Sequence, residues 1–205
     1  MKRKISIICA ILVISLFSTI VIAESLNGDY KGNPIVNVII NGIKLTGLDV
    51  PAFIYNGRTM LPLRACVENM SGIVEWDNTT KTASIIKPET SIFFFQMNQD
   101  GITLKDAYSI FPVVAADEKV YSMVDISGIP KGVYTIKCKI TNLSGTVIAE
   151  TGDLAVNIDL NNAWASVPAI WDSIKFYKEA YKFNVSMKDS AGTYKTIANK
   201  TMMYE

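Results

Sequence analysis

The chain has 205 residues, with 20 Lys and Arg, 19 Asp and Glu, and no histidine. The lack of imidazole excludes Ser-His-Asp and Cys-His sites as well as histidine-ligated zinc, copper or iron centres. The near-neutral charge gives no basic stripe for nucleic acid. We therefore expect a protein that is not an enzyme and holds no cofactor or metal, although chemistry based on carboxylates alone stays open.

The first 23 residues have the pattern of a secretory signal peptide. A basic start, Lys2 to Lys4, precedes an apolar run from residue 5 to 22, and Val21 and Ala23 supply the small residues of a cleavage site. The alternative is an uncleaved membrane anchor, because the run approaches bilayer length. Cleavage would leave 17 basic against 19 acidic residues. We predict a secreted or surface-associated protein with no membrane span after cleavage, and a linker over residues 24–35.

Residues 36–87 carry the signals of three β-hairpins. Asn41-Gly42 and Asn56-Gly57 each stand between alternating apolar residues, and Asn-Gly is the strongest short hairpin signal because both turn positions need positive φ. The stretch "IVEWDNTTKTASII" predicts the third hairpin.

A short helix is predicted between the second and third hairpins. The stretch "LPLRACVENMSG" places one apolar stripe at helical spacing, formed by Leu63, Cys66, Val67 and Met70. Pro62 suits the first turn, and Gly72 suits a left-handed stop.

Arg58 and Arg64 are the arginines that follow the predicted signal peptide, and they lie within one short run. Arg64 and Glu68 are four residues apart on the predicted helix, so they can form an ion pair. A guanidinium can also hold a carboxylate through two hydrogen bonds at once. We interpret Arg58, Arg64 and Glu68 as a structural clamp between helix and sheet, with an anionic ligand site as the alternative.

Residues 36–87 resemble the copper amine oxidase-like N-terminal domain of secreted and cell-surface proteins of Gram-positive bacteria. The resemblance rests on "NGRT" at 56–59, "PLR" at 62–64, Glu68 and "VEWD" at 74–77. It implies an antiparallel sheet wrapped around one helix. In the oxidases this domain is an accessory stalk, and copper and the quinone belong to a separate domain, so the resemblance implies neither copper binding nor amine oxidase activity.

Residues 90–205 are predicted to form an immunoglobulin-like β-sandwich after a linker, "KPET". The stretch 132–146 echoes 179–193 at an offset of 47, with a long alternating strand and a polar turn closed by glycine in each copy. Two or three such units facing each other would form one sandwich. The tyrosines that begin the strands, Tyr134 and Tyr181, suit the edge of the core, with the hydroxyl bonded to backbone. The fold class is thus mainly β, with a small α+β domain before the sandwich.

Two cysteines follow the signal peptide, Cys66 and Cys138, and both stand at apolar positions of their elements. We expect buried free thiols rather than a disulfide.

The segment 161–181 concentrates aromatic residues. Trp171, Phe176 and Tyr181 align with Val124, Ile129 and Tyr134 at the same offset of 47, so we expect them to point inward. Trp164 and Tyr177 are then the candidates for contact with a ligand or partner, because exposed aromatic rings stack on sugars and bind protein surfaces.

"NQDG" at 98–101 and the pair Asp117-Glu118 offer oxygen ligands, but without calcium-loop spacing they fit ordinary turns better.

Three functional hypotheses follow. The first is a non-enzymatic binding or scaffolding protein of the cell envelope, with an extracellular protein or a cell-wall glycan as partner. The second is a carbohydrate-binding accessory module. The third is a hydrolase using two carboxylates, which would need a cleft with convergent acidic side chains.

Overall fold

A computed structural model describes residues 26–97, 104–108, 120–159, 163–171, 174 and 180–203. These residues form mostly antiparallel strands and one short helix, which confirms the mainly β fold class. The predicted signal peptide lies outside the described residues. The chain divides into two compact units between Pro62 and Leu63. The domain limits 36–87 and 90–205 stay a prediction.

The first unit consists of short hairpins. Its strands pair antiparallel in the order of the chain, β1 with β2, β3 with β4, and β5 with β6; they are β1 (Asp29–Tyr30), β2 (Asn33–Pro34), β3 (Ile39–Ile40), β4 (Ile43–Lys44), β5 (Phe53–Tyr55) and β6 (Arg58–Met60). Both predicted Asn-Gly turns are present, with φ of 51° and 80° at Asn41 and Gly42 and of 47° and 73° at Asn56 and Gly57. These strands pair within separate hairpins rather than in one continuous sheet, apart from a bridge between Ile35 and Phe53.

The second unit begins with helix α1 (Leu63–Asn69) and the hairpin of β7 (Ile73–Asp77) and β8 (Thr82–Ile86). Of the predicted apolar stripe, Cys66 and Val67 are buried, whereas Leu63 and Met70 are exposed.

The helix ends in the hydrogen-bond pattern of a Schellman motif. The amide of Gly72 donates to Val67 O at 2.9 Å, and the amide of Ser71 donates to Glu68 O at 3.0 Å. The left-handed residue is Ser71, with φ of 62°, and not Gly72 as predicted. Glycine is required at position 72 for space, because a Cβ there would stand 2.7 Å from Val67 Cγ1.

Two antiparallel sheets complete the second unit. Their strands are β9 (Glu89–Met97), β10 (Leu104–Tyr108), β11 (Val120–Ser127), β12 (Gly132–Asn142), β13 (Val147–Glu150), β14 (Leu154–Ile158), β15 (Trp164–Trp171), β16 (Ala180–Lys188) and β17 (Tyr194–Met203). The first sheet has the order β10-β9-β11-β15, and the second the order β13-β12-β16-β17, with β14 also paired to β12. Strand β9 starts at Glu89, so the second half of the predicted "KPET" linker is part of the sheet.

The two sheets pack face to face around one hydrophobic core, as predicted for a sandwich. The Phe183 ring meets the rings of Phe94 and Trp171 edge to face, with centroids 5.1 and 5.6 Å apart. Trp171 and Tyr181 point inward as predicted, and Trp171 Nε1 donates to the buried Ser122 Oγ at 2.9 Å. Ile73 of β7 belongs to this same core, so the α1–β7–β8 segment packs on the sandwich.

The predicted repeat is visible in the two hairpin turns of the second sheet. In the first turn, Asn142 Oδ1 accepts the amide of Thr146 at 2.8 Å. In the second turn, Asp189 Oδ1 accepts the amide of Thr193, also at 2.8 Å. Tyr134 at the start of β12 donates its hydroxyl to Pro130 O at 2.7 Å, which is the backbone bond expected of it. The stretch "FFFQMNQDGIT" at 93–103 is a weaker third echo, and its turn, from Asn98 to Gly101, lies outside the described residues.

Both described cysteines, Cys66 and Cys138, are buried and free. Burial raises the pKa of the Cys138 thiol to about 12, since a thiolate would be poorly solvated in the core.

Candidate functional site

A candidate site lies on the solvent side of β9, β11 and β15, here called the outer face. Because side chains alternate along a strand, the register fixes which residues share this face. Four rows run across the three strands, each in the order β9, β11, β15: Glu89–Ser127–Trp164, Ser91–Asp125–Ser166, Phe93–Met123–Pro168 and Phe95–Tyr121–Ile170. The first two rows form the polar end of the outer face, and the last two form its apolar end.

The polar end contains a surface pocket of about 340 Å³. Its lining residues are Glu89, Ser91, Asp125, Ile126, Ser127 and Trp164. Strand pairing brings them together from three separate parts of the chain. Trp164 is one of these lining residues and is 57% exposed, so a ligand in the pocket can contact it.

The two carboxylates of this pocket are held by serine hydroxyls. Ser127 Oγ donates to Glu89 Oε2 at 3.5 Å, and Ser166 Oγ donates to Asp125 Oδ1. No lysine or arginine of the described residues forms an ion pair with either carboxylate. The pocket therefore offers negative charge and free acceptor capacity to whatever enters it.

Aromatic and aliphatic side chains cover the apolar end. The rings of Phe95 and Tyr121 stack with centroids 5.6 Å apart and planes 14° from parallel. Phe93 and Ile170 are 53% and 58% exposed. Four rows of a strand span about 20 Å at 3.3–3.4 Å per residue, so the outer face is long enough for an extended ligand.

The solvent side of the second sheet, by contrast, pairs the carboxylates of Glu150 and Asp153 with lysines. Lys137 and Lys139 each lie 3.0 Å from Glu150, and Lys188 lies 3.0 Å from Asp153. The hydroxyl of Tyr194 donates to Asp153 Oδ1 at 2.6 Å. The Tyr194 hydrogen bond, and then Lys188, lower the pKa of Asp153.

The sequence-predicted contact residues differ in outcome. Trp164 is exposed and lines the pocket, whereas Tyr177 lies outside the described residues. Sequence reasoning missed Glu89, which it assigned to a linker, and gave Asp125 no functional role. Glu89 and Ser91 are two residues apart, as are Asp125 and Ser127, and such spacing of polar residues indicates the side of a strand that faces solvent. It does not show that the two strands are neighbours.

The predicted clamp residues lie in both units. Arg64 Nη1 donates to Val74 O at 2.9 Å and lies 3.7 Å from Glu68 Oε1. Lys195 of β17, which sequence reasoning missed, approaches Glu68 Oε1 to 2.7 Å. Glu68 thus connects α1 to β17, and Arg64 connects α1 to β7. Arg58 lies in β6 and makes no ion pair within the described residues, so its part in a clamp stays a prediction.

A second cavity lies within the first unit. It measures about 290 Å³ and is lined by Tyr30, Lys31, Asn33, Phe53, Tyr55 and Met60. The Tyr30 and Phe53 rings are 5.3 Å apart, and Lys31 Nζ stands 5.3 Å from the centroid of Tyr30. The side-chain amide of Asn33 is bonded to backbone carbonyls, so the cavity offers mainly apolar surface.

Within the described residues, no group of three or more Cys, Asp or Glu side chains is placed to hold a metal ion. The described part of the chain also contains no helix of the length and apolar character needed to span a bilayer.

The family comparison agrees with the resemblance noted in the sequence. Residues 39–116 match the copper amine oxidase N-terminal domain. This match runs past the expected end at residue 87 and includes β9 and β10. The matched residues thus include two strands of the first sheet, and one of them, β9, supplies Glu89 to the pocket.

Solved structures resemble the chain only distantly. A Bifidobacterium dentium β-glucuronidase complexed with coumarin-3-O-glucuronide is 14% identical with a TM-score of 0.34; the match covers 60% of this chain and 18% of that one. The soluble domain of PmoD from Methylocystis sp. ATCC 49242 (Rockwell) is 11% identical with a TM-score of 0.31, and the match covers 64% of this chain and 95% of that one. A comparison with curated proteins finds no match.

Proposed function

We propose that this chain is an exported, non-enzymatic binding protein whose ligand lies along the outer face. The copper amine oxidase N-terminal domain serves as an accessory part of it and supplies one of the strands of that face. The absence of histidine supports a function based on binding, because the usual general base near neutral pH is missing.

The observation that carries this proposal is the difference between the two solvent-facing sides of the sandwich. On the side formed by the second sheet, the carboxylates of Glu150 and Asp153 are both paired with lysines. The outer face leaves three large apolar side chains exposed, Phe93, Trp164 and Ile170, next to a pocket whose carboxylates have no cationic partner in the described residues. Exposed apolar surface beside unpaired polar groups is typical of an interaction site.

The composition of the outer face favours a cell-surface glycan over a protein as the ligand. A protein-binding surface concentrates apolar residues at a central core with a polar rim. Here an exposed aromatic ring, that of Trp164, instead stands directly beside the hydrogen-bonding groups of Glu89 and Ser127. A sugar chain offers such a pattern, since each ring presents an apolar face and polar edges.

Retention on insoluble glycans tests the proposal. Purified mature protein is mixed with protein-free cell walls and with insoluble polysaccharides, and the depleted fraction is measured. We expect retention that Trp164→Ala reduces at least tenfold. Trp76→Ala is the matched control because Trp76 is 55% exposed and lies on β7, outside the pocket.

Two results would contradict the proposal. Equal retention of the Trp164→Ala and wild-type proteins would show that the outer face does not bind the glycan. Release of reducing sugar from any of these glycans, abolished by Glu89→Gln or Asp125→Asn, would instead support the hydrolase hypothesis, since the pocket does bring two carboxylates to one place.

A further inference from the structure

We propose that the polar end of the outer face selects sugars that carry a free, protonated amino group over their N-acetylated or acidic counterparts. This inference rests on the proposed function, because it names the class of glycan that the outer face binds. It concerns the pocket formed by Glu89, Asp125 and Trp164.

The charge of the pocket is the first argument. Two of its six lining residues, Glu89 and Asp125, bear carboxylates, and none of the six is basic. Neither carboxylate is neutralised by a lysine or arginine of the described residues. An ammonium group entering the pocket gains attraction to both, whereas a uronic acid or phosphorylated sugar is repelled. At physiological salt such effects reach about 8 Å, so the ammonium must enter the pocket to be selected.

The balance of donors and acceptors is the second argument. Ser127 and Ser166 direct their hydroxyl protons to one oxygen of each carboxylate. The other oxygens, Glu89 Oε1 and Asp125 Oδ2, accept no hydrogen bond from the described residues. An ammonium supplies three donors and no acceptor. An acetamide supplies one donor and a carbonyl, for which this pocket has few donors.

The exposed indole of Trp164 is the third argument. Its ring face can pack against the apolar face of a sugar, and tryptophan is the side chain that best binds a cation over its ring. A carboxylate pair beside an indole thus recognises a ring and an ammonium together, which an isolated acidic pair does not do.

The test compares two soluble oligosaccharides of equal length, glucosamine hexamer and its fully N-acetylated form, by calorimetric titration. We expect the amino form to bind at least tenfold more tightly at low salt, with a smaller preference at high salt. Glu89→Gln and Asp125→Asn keep side-chain size and should remove most of the preference while leaving the N-acetylated affinity nearly unchanged. Trp164→Ala should weaken both. Glu75→Gln, on β7, is the control variant.

The outcomes separate this inference from the proposed function. If both hexamers bind equally and the two carboxylate variants change nothing, the selection for amines is wrong while glycan binding stands. If neither hexamer binds and Trp164→Ala leaves cell-wall retention unchanged, the proposed function is wrong as well. If polylysine binds as tightly as the amino hexamer and competes with it, the pocket recognises ammonium groups of protein, and the assignment to sugars is wrong.

Discussion

Cys138 and Val185 are directly opposite each other across β12 and β16, and they are also equivalent positions of the 47-residue repeat. In the first sheet, Ser122 and Ala169 are likewise opposite each other across β11 and β15, and they are separated by the same 47 residues. Strands that are equivalent in the repeat thus pair with each other in both sheets. In the second sheet, the equivalent strands β12 and β16 accordingly lie at the centre of the order β13-β12-β16-β17.

The first prediction follows from this equivalence. Cys138→Val should lower the free energy of unfolding by no more than about 1–3 kcal/mol, because valine fills the equivalent position of the repeat and adds only about one methyl group to the buried site. Denaturant titration measures the change. Phe183→Ala, at a fully buried position in the same core, should cost about 3–5 kcal/mol by the same measurement.

A second prediction concerns how the stability of wild type and of Cys138→Val depends on pH. Burial raises the pKa of Cys138 to about 12, so the folded state keeps the thiol protonated. The unfolded chain ionises near pH 8.5, and the stability contributed by this group is therefore present below that pH and lost as the pH rises toward 12. Wild type should lose more stability than Cys138→Val over this range. Parallel curves for the two proteins would show that the thiol ionises normally when folded.

The matched turns give a third prediction. Gly145 and Gly192 have φ of 88° and 82°, and a Cβ would meet nothing within 4 Å at either position. Replacing each with alanine should therefore cost only the left-handed backbone energy, about 1–2 kcal/mol, and the two costs should be equal and additive. Gly152→Ala is the control because its φ is ordinary and its surroundings are also open. Unequal costs would show that the two turns differ energetically despite the same hydrogen bonds.

The hydrogen-bonded carboxylate of Asp153, on the solvent side of the second sheet, gives a fourth prediction. The hydrogen bond from Tyr194 and the nearby Lys188 lower the pKa of Asp153. Its contribution to stability is therefore present above about pH 4, the ordinary range of an aspartate, and is lost as the pH falls through the lowered folded value. Asp153→Asn should flatten the acid limb of the stability curve measured by thermal unfolding. An acid limb that is equally steep in Asp153→Asn and wild type would contradict this expectation.

The connection between α1 and β17 gives a fifth prediction. Lys195 Nζ lies 2.7 Å from Glu68, and both side chains are partly buried at 24% and 31% exposure. Lys195→Met should destabilise the second unit by about 1 kcal/mol, near the upper end for surface pairs. Lys182→Met tests for a general charge effect because Lys182 is exposed on the neighbouring strand β16. If both variants lose the same stability, the ion pair contributes nothing specific.

Local patterns predicted the local structure well. The Asn-Gly turns, the helix after Pro62 and the repeated turn at Asn142 and Asp189 all depend on residues close in sequence, and the structure shows each of them. The left-handed residue at the end of the helix was predicted one residue too late. Ser71 has the left-handed backbone angle, whereas Gly72 is needed because there is no room for a side chain, and the sequence alone does not separate these two roles.

The pocket was not predictable in the same way. Glu89, Asp125 and Trp164 come together because β11 pairs with β9 on one side and with β15 on the other. Each of these pairings joins segments far apart in sequence, and a shift of one residue would turn the side chains to the opposite side of the sheet. Composition identified Trp164 as an exposed aromatic candidate, but only the register supplies its neighbours.

Pro168 lies in β15, which is the last strand on its side of the first sheet among the described strands. Proline has no amide hydrogen to offer, so a further strand arriving at this margin finds a gap in the ladder of donors. Copies of the chain are thereby discouraged from joining edge to edge into fibres along β15. This single ring thereby contributes to the colloidal stability of the protein.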